Sequence, residues 1–219
     1  MTKHMNYQKE KLKIKFEGHE LIENNYSQAA QDLFVLMCLK GKRNGSFLDL
    51  GCNEPIHINN TYLLESKFGW TGISMDIDPS FVDRHKDKRT SKAIVQDATK
   101  INFEEVMKHY NSKHIDYLSL DLEPASVTLE CLSSIPFDKI EFSVVTYEHD
   151  SYRFGDHCRN VSRNIFEKAG YKIIASDVCS NGCIYEDWYY NPKYVNFEDI
   201  NLMTSDKSDW ASIVYYANL

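Results

Sequence analysis

No apolar run in this sequence approaches the roughly 18 residues that a membrane-spanning helix needs. The start, MTKHMNYQKEKLKIK, lacks the apolar centre of a secretory signal. No membrane span is expected, and a cytoplasmic location is. Cysteine supplies no framework either: Cys38, Cys52, Cys131, Cys158, Cys179 and Cys183 contain no CxxC pair. Neither a disulfide scaffold nor a zinc knuckle is expected, and the six read as reduced thiols. GxGxxG is missing as well, which removes the turn that lets a dinucleotide pyrophosphate approach the backbone. There is no internal repeat and no low-complexity segment.

What is present suits one buried core: 219 residues, 42 % of them apolar. The net charge is -7, unevenly spread, because Lys3, Lys9, Lys11, Lys13 and Lys15 against Glu10 make residues 1–15 +4 and leave -11 for the rest. A body of that sign repels phosphate backbones, so no nucleic-acid partner is expected. Residues 1–25 read as a basic, solvated arm and 26–219 as the domain.

Within 26–219 helical and extended patterns alternate. YSQAAQDLFVLMCLK, from Tyr26 to Lys40, reads as a leading helix capped by Ser27 and stopped by Gly41. FLDL, TGISMDID, KAIVQDA, IDYLSLDLE and KIEFSVVTYEHD read as strands, separated by the helical stretches INNTYLLESKFG, PSFVDRHK, NFEEVMKHY and PASVTLECLSSI. HCRNVSRNIFEKAG is a further helix, and YKIIASDV and CIYEDWYY flank SNG as a hairpin. Strands alternating with helices imply an α/β fold with a mostly parallel sheet and helices on both faces. The closing hairpin adds antiparallel strands, as in the Rossmann-like, seven-stranded class I methyltransferase arrangement.

Ligands of such sheets sit beyond the carboxyl ends of the strands. Here those ends carry Asp49, Gly51, Cys52, Asn53 and Glu54; then Asp76 and Asp78; Asp97; Asp121 and Glu123; and Glu148, His149 and Asp150. Clustered carboxylates at partly wet strand tips repel one another, so something cationic or rich in hydroxyls is expected among them. GCNEP offers one glycine and then Glu54 where a phosphate would come. S-adenosylmethionine fits better than an anionic cofactor: it has a sulfonium, no phosphate, and ribose hydroxyls that a carboxylate such as Asp76 accepts.

YSQAAQDLF, FLDLG, NNTYLLE, GWTGISMDIDP, VQDA and IDYLSLDLE, in this order over roughly residues 26 to 123, resemble the FkbM-type S-adenosylmethionine-dependent methyltransferases. The resemblance implies that Asp49 and Gly51, with neighbouring Asn53, line the methionine part of the cofactor. It implies that Asn60 and Thr61 open the next helix towards its carboxylate, that Asp76 takes the ribose, and that Asp97 and Ala98 edge the adenine. Asp121 and Glu123 match the acidic pair after the fourth strand. The sequence departs from the family at Glu54-Pro55 and at Pro124, where glycine is usual.

For a hydroxyl acceptor, removal of the proton is the difficult part, and a base or a divalent metal can assist. Asp121, Glu148, His149 and Asp150, at adjacent strand tips, resemble the metal site of macrocin-type sugar O-methyltransferases, which implies Mg²⁺ or Mn²⁺ held by Asp121, Glu148 and His149, with His149 as ligand or base and Asp121 as its catalytic neighbour. The expected reaction is methyl transfer to a hydroxyl of a sugar or glycan, such as a deoxyhexose like rhamnose. Two rivals are a non-sugar small-molecule acceptor and a non-catalytic scaffold that keeps the fold. The cluster Trp188, Tyr189, Tyr190 is expected to pack a core rather than stack a sugar.

Overall fold

The computed structural model describes residues 7–205 and 208–216. In chain order its helices and strands are α1 (Gln31–Cys38), β1 (Ser46–Leu50), α2 (Tyr62–Phe68), β2 (Thr71–Asp76), α3 (Pro79–Lys88), β3 (Lys92–Val95), α4 (Phe103–Tyr110) and β4 (His114–Leu120). They continue with α5 (Ala125–Ser134), β5 (Glu141–Glu148), α6 (Ser151–Phe154), α7 (His157–Lys168), β6 (Lys172–Ser180), β7 (Cys183–Tyr190), α8 (Phe197–Ile200) and α9 (Trp210–Val214). The seven strands form one sheet in the order β3-β2-β1-β4-β5-β7-β6. The first five are parallel, whereas β7 runs antiparallel to both β5 and β6. Asn181 and Gly182 turn the β6–β7 hairpin, both at positive φ (52° and 79°), which is why an Asn-Gly pair is suited there.

Each sheet face carries its own core. On one side Leu33, Phe34 and Leu36 of α1 and Leu63 and Leu64 of α2 pack with Tyr117, Val144 and Trp188. On the other, Phe103, Val106, Leu132 and Phe166 from α4, α5 and α7 pack with Leu48, Leu118, Val145 and Tyr189. Trp188 stacks on Phe34 and Tyr189 on Phe166, so these rings belong to the two cores, as their alternation along the strand implies.

Two local expectations are revised. The leading helix starts at Gln31 rather than near Ser27, because the buried Asp32 carboxylate accepts the backbone N–H groups of Tyr26 and Ser27 and the Ser27 hydroxyl. Those bonds fold residues 26–30 back as a turn, with Ala30 left-handed at φ 61°. The lysine-rich start also lies against the body: Leu12, Phe16 and Ile22 are buried in the first core. Lys13 N–H donates to Val214 O, and Tyr216 N–H to Lys11 O. Lys3 lies outside the described residues. Among the described residues no helix is long and apolar enough to cross a membrane.

Candidate functional site

Strand order reverses between β1 and β4, and a cleft of about 780 Å³ opens beyond their carboxyl ends. Asp49, Gly51, Asn53, Asn60, Asp76, Asp97, Ala98, Asp121 and Glu148 all line it. Thr61 and His149 do not.

The turn after β1 is shaped by close approach. Gly51 has φ 89°, and a Cβ there would lie 1.8 Å from Asp121 O, so only glycine lets the ends of β1 and β4 meet. Gly51 and Cys52 N–H both donate to Met75 O, and Asp121 N–H donates to Leu50 O. Asn53 N–H then donates to one oxygen of Asp76 (3.0 Å) and Asp78 N–H to the other (2.9 Å). The Asp76 carboxylate is thereby held at the cleft wall, with lone pairs left for a diol. Ile77, next in the chain, is 72 % exposed and lines the same cleft. Glu54, whose position broke the glycine pattern, pairs with Arg84 at 2.9 Å and is not a cleft residue.

Asp49 is buried, and Thr61 Oγ1 donates to it at 2.9 Å. Burial raises its pKa to about 6, against the Thr61 hydrogen bond and the charge of Arg89. Thr61 is fully buried beneath the turn and supports Asp49 instead of facing a ligand. Asn60 faces the cleft and donates to Ser119 Oγ. Asp97 accepts the N–H and hydroxyl of Thr99 and pairs with Lys100 at 2.8 Å, so it caps the short turn that sets Ala98 against the cleft. The Lys100 and Thr99 bonds lower its pKa to about 2.

Asp121 lies across from Gly51. Burial raises its pKa to about 7, reinforced by the neighbouring charges of Asp49, Asp150, Glu123 and Asp76. A carboxyl poised there is matched to proton transfer near neutral pH.

No family model matches this chain, and no curated protein does. Solved structures do. A protein assigned as an rRNA methylase from Clostridium thermocellum superposes with a TM-score of 0.55 at 13 % identity, over 78 % of this chain and 97 % of its own. Fibrillarin from Aeropyrum pernix, solved with natively bound S-adenosyl-L-methionine, superposes with a TM-score of 0.51 at 14 % identity, over 75 % of this chain and 74 % of its own. This is the class I methyltransferase fold.

Within that methyltransferase fold the expected metal triad does not assemble. Asp121 and Glu148 reach the cleft, but His149 is fully buried beside Asp187, with Nε2 3.6 Å from Asp187 Oδ1. Its Nδ1 accepts the Ser151 N–H. The reason is strand alternation: Glu148 is in register with Glu186, whereas the next residue turns to the face of Asp187. Among the described residues the one grouping with metal-like spacing is His149, Asp177 and Asp187. Its carboxylates are already bonded by Arg159 and Arg163. No chemical step is therefore assigned to a metal or to His149. His149→Gln is expected to lower the melting temperature by several degrees while leaving kcat within a few-fold of wild type. A kcat collapse in a folded variant would restore the histidine to catalysis.

Three residues behind the cleft were not singled out from the sequence, although Asn59 stands first in NNTYLLE. Asn59 donates to Cys52 O and Glu54 O and accepts the N–H groups of Thr61 and Tyr62, joining the turn to the start of α2. Arg89 follows α3. Glu186, on β7, is buried beside the cleft residues and bonded by Gln31 and Trp188, and burial raises its pKa to about 8.

Proposed function

We propose that this chain is an S-adenosylmethionine-dependent methyltransferase of FkbM type, transferring methyl to a hydroxyl of a sugar or glycan such as a deoxyhexose. The observation that carries the reading is Asp76, fixed by two backbone N–H groups at the switch-point cleft, with Asp121 across the Gly51 turn. The residues suit the cofactor: Gly51 lets the β1 and β4 ends close together beneath the cleft, Asp76 is free to accept a ribose diol, and Asp49 offers negative charge where a sulfonium belongs. When bound, the cofactor supplies an activated methyl group.

Asp121 is the base in this reading: its carboxylate takes the hydroxyl proton of the acceptor while the cleft walls hold the acceptor oxygen in line. Tyr152, 52 % exposed at the cleft, offers an aromatic surface to the acceptor. The wall carries eight carboxylates against Lys100, a field that repels phosphodiester chains and admits neutral polyols. That balance is the reason for preferring a glycan to RNA as the acceptor.

Calorimetry with S-adenosylhomocysteine tests the cofactor half. Wild type is expected to bind, and Asp76→Ala to bind about tenfold or more weakly, the scale of losing hydrogen bonds to a charged group. A folded wild-type chain without measurable binding would favour the scaffold reading. Mass spectrometry of sugars, glycans and lipids after incubation with the cofactor tests the acceptor half, through a gain of one methyl mass.

A further inference from the structure

Resting on the cofactor reading above, we propose that Arg89 is the positioning residue of the cofactor turn. One buried guanidinium braces from behind a loop that has only a single glycine. Arg89 lies just past α3, with its side chain 1 % exposed. All five of its N–H donors have acceptors. Nη1 donates to Pro55 O and Asn59 Oδ1, each at 3.0 Å. Nη2 donates to Thr61 Oγ1 at 3.1 Å and lies 2.8 Å from Glu65 Oε2, to which Nε also donates at 2.9 Å.

These contacts span residues 55 to 65, from the end of the cofactor turn into α2. Two of them lead on to the cofactor turn. Thr61 passes the hydrogen bond to Asp49. Asn59 passes it to the carbonyls of Cys52 and Glu54. Glu65 fixes Arg89 in turn, and also accepts from Thr90 and Ser91 at the approach to β3. Burial would raise the Glu65 pKa, but the charge and hydrogen bond of Arg89 outweigh it and hold Glu65 at about 2, so the pair stays ionised.

A glycine-rich turn is defined by what its backbone can do. The stretch CNEPIHINN, residues 52–60, lacks that freedom and has Asn53 and Ile58 at positive φ (46° and 52°), conformations that need outside support. A planar fork with fixed donor directions provides that support, and a lysine, with one point charge, cannot reach all four acceptor residues together. Arg89 itself is not a cleft residue, so it acts through Asp49, Asn59 and Thr61.

The test compares Arg89→Lys with Arg163→Lys, which weakens a partly buried arginine–carboxylate pair (Arg163 with Asp187) away from the cleft. Two readouts are taken: amide hydrogen exchange of residues 52–61 in the ligand-free protein, and affinity for S-adenosylhomocysteine. Arg89→Lys is expected to exchange about tenfold faster in that segment and to bind about tenfold more weakly, with KM for the cofactor raised and kcat within a few-fold. Arg163→Lys should show a comparable loss of melting temperature with neither change. Exchange and affinity in Arg89→Lys that match wild type, or match Arg163→Lys, overturn the proposal. Should Arg89→Lys not fold, Glu65→Gln keeps the arginine but loosens its hold, and the same two readouts decide. If wild type binds no cofactor analogue, the functional reading fails, while the exchange comparison still decides whether Arg89 braces the turn.

Discussion

Gly51→Ala is expected to abolish cofactor binding and to lower stability by at least about 3 kcal/mol, roughly 10 °C in melting temperature for a chain of this size. Two costs add. Placing alanine at φ 89° carries the left-handed penalty of about 1–2 kcal/mol. The new methyl group would also sit 1.8 Å from Asp121 O, a backbone atom that cannot rotate away. Relief requires β1 and β4 to separate where Asp121 N–H donates to Leu50 O, which displaces Asp49 and Asp121 together. Gly170→Ala isolates the first cost, since Gly170 has φ 86° but nothing within 4 Å of the added methyl. That control should lose about 1 kcal/mol and keep full affinity for S-adenosylhomocysteine. An affinity within threefold of wild type in Gly51→Ala would mean that the ligand does not use this turn.

The second large effect belongs to Asp121. Asp121→Asn should cut kcat by roughly 10² to 10⁴, the usual contribution of a positioned base, with a smaller change in KM. In wild type the base must be ionised, so log(kcat/KM), which reports the free enzyme, should climb with unit slope as pH rises, bend near 7 and then level. An unperturbed carboxylate would bend near about 4 instead. The stability effect has the opposite sign. A carboxyl whose pKa is raised on folding binds its proton more tightly in the native state, so stability falls as pH rises from about 4 to about 7 and stays lower above that. Asp121→Asn removes a partly buried charge crowded by other carboxylates and should therefore melt higher than wild type at pH 8 while being nearly inactive. A flat activity profile between pH 5.5 and 8, together with an Asp121→Asn variant within tenfold of wild type, would sink the assignment of the base.

The pH dependence of the whole protein follows from the same accounting. Asp49 and Glu186, raised to about 6 and about 8 chiefly by burial, add to the loss of stability with rising pH. Glu65 is held at about 2 against its burial by Arg89, and Asp187 at about 2 against its burial by Arg163 and His149; both stabilise the fold above the ordinary carboxyl range and lose that contribution in acid. The melting temperature should peak in mildly acidic buffer, a profile a calorimetric pH series can check.

Most strands and helices could be read from pattern because their causes are local. IDYLSL and EFSVVTY are strand-length stretches rich in apolar, aromatic and β-branched residues, and Pro79 and Asn181-Gly182 punctuate the chain where the backbone turns. The acids at the strand tips were legible for the same reason: a parallel sheet brings all its carboxyl ends to one edge, so Asp49, Asp76, Asp97, Asp121 and Glu148 converge whatever the details of packing.

Direction and partnership were not legible. Glu148 and His149 are adjacent in sequence, yet the pleat sends one to the cleft and the other to Asp187, a residue 38 positions later that reaches β5 only through the β7 pairing. Thr61 looked like a ligand contact and is a buried support, because Arg89, 28 residues away, claims its oxygen. The order of elements and the acid-rich edge were written along the chain because backbone periodicity acts over a few residues. Which carboxylate is left free, which histidine is sealed in, and what braces the turn depended on groups far apart in sequence meeting where water is excluded, and only the packed sheet brings them together.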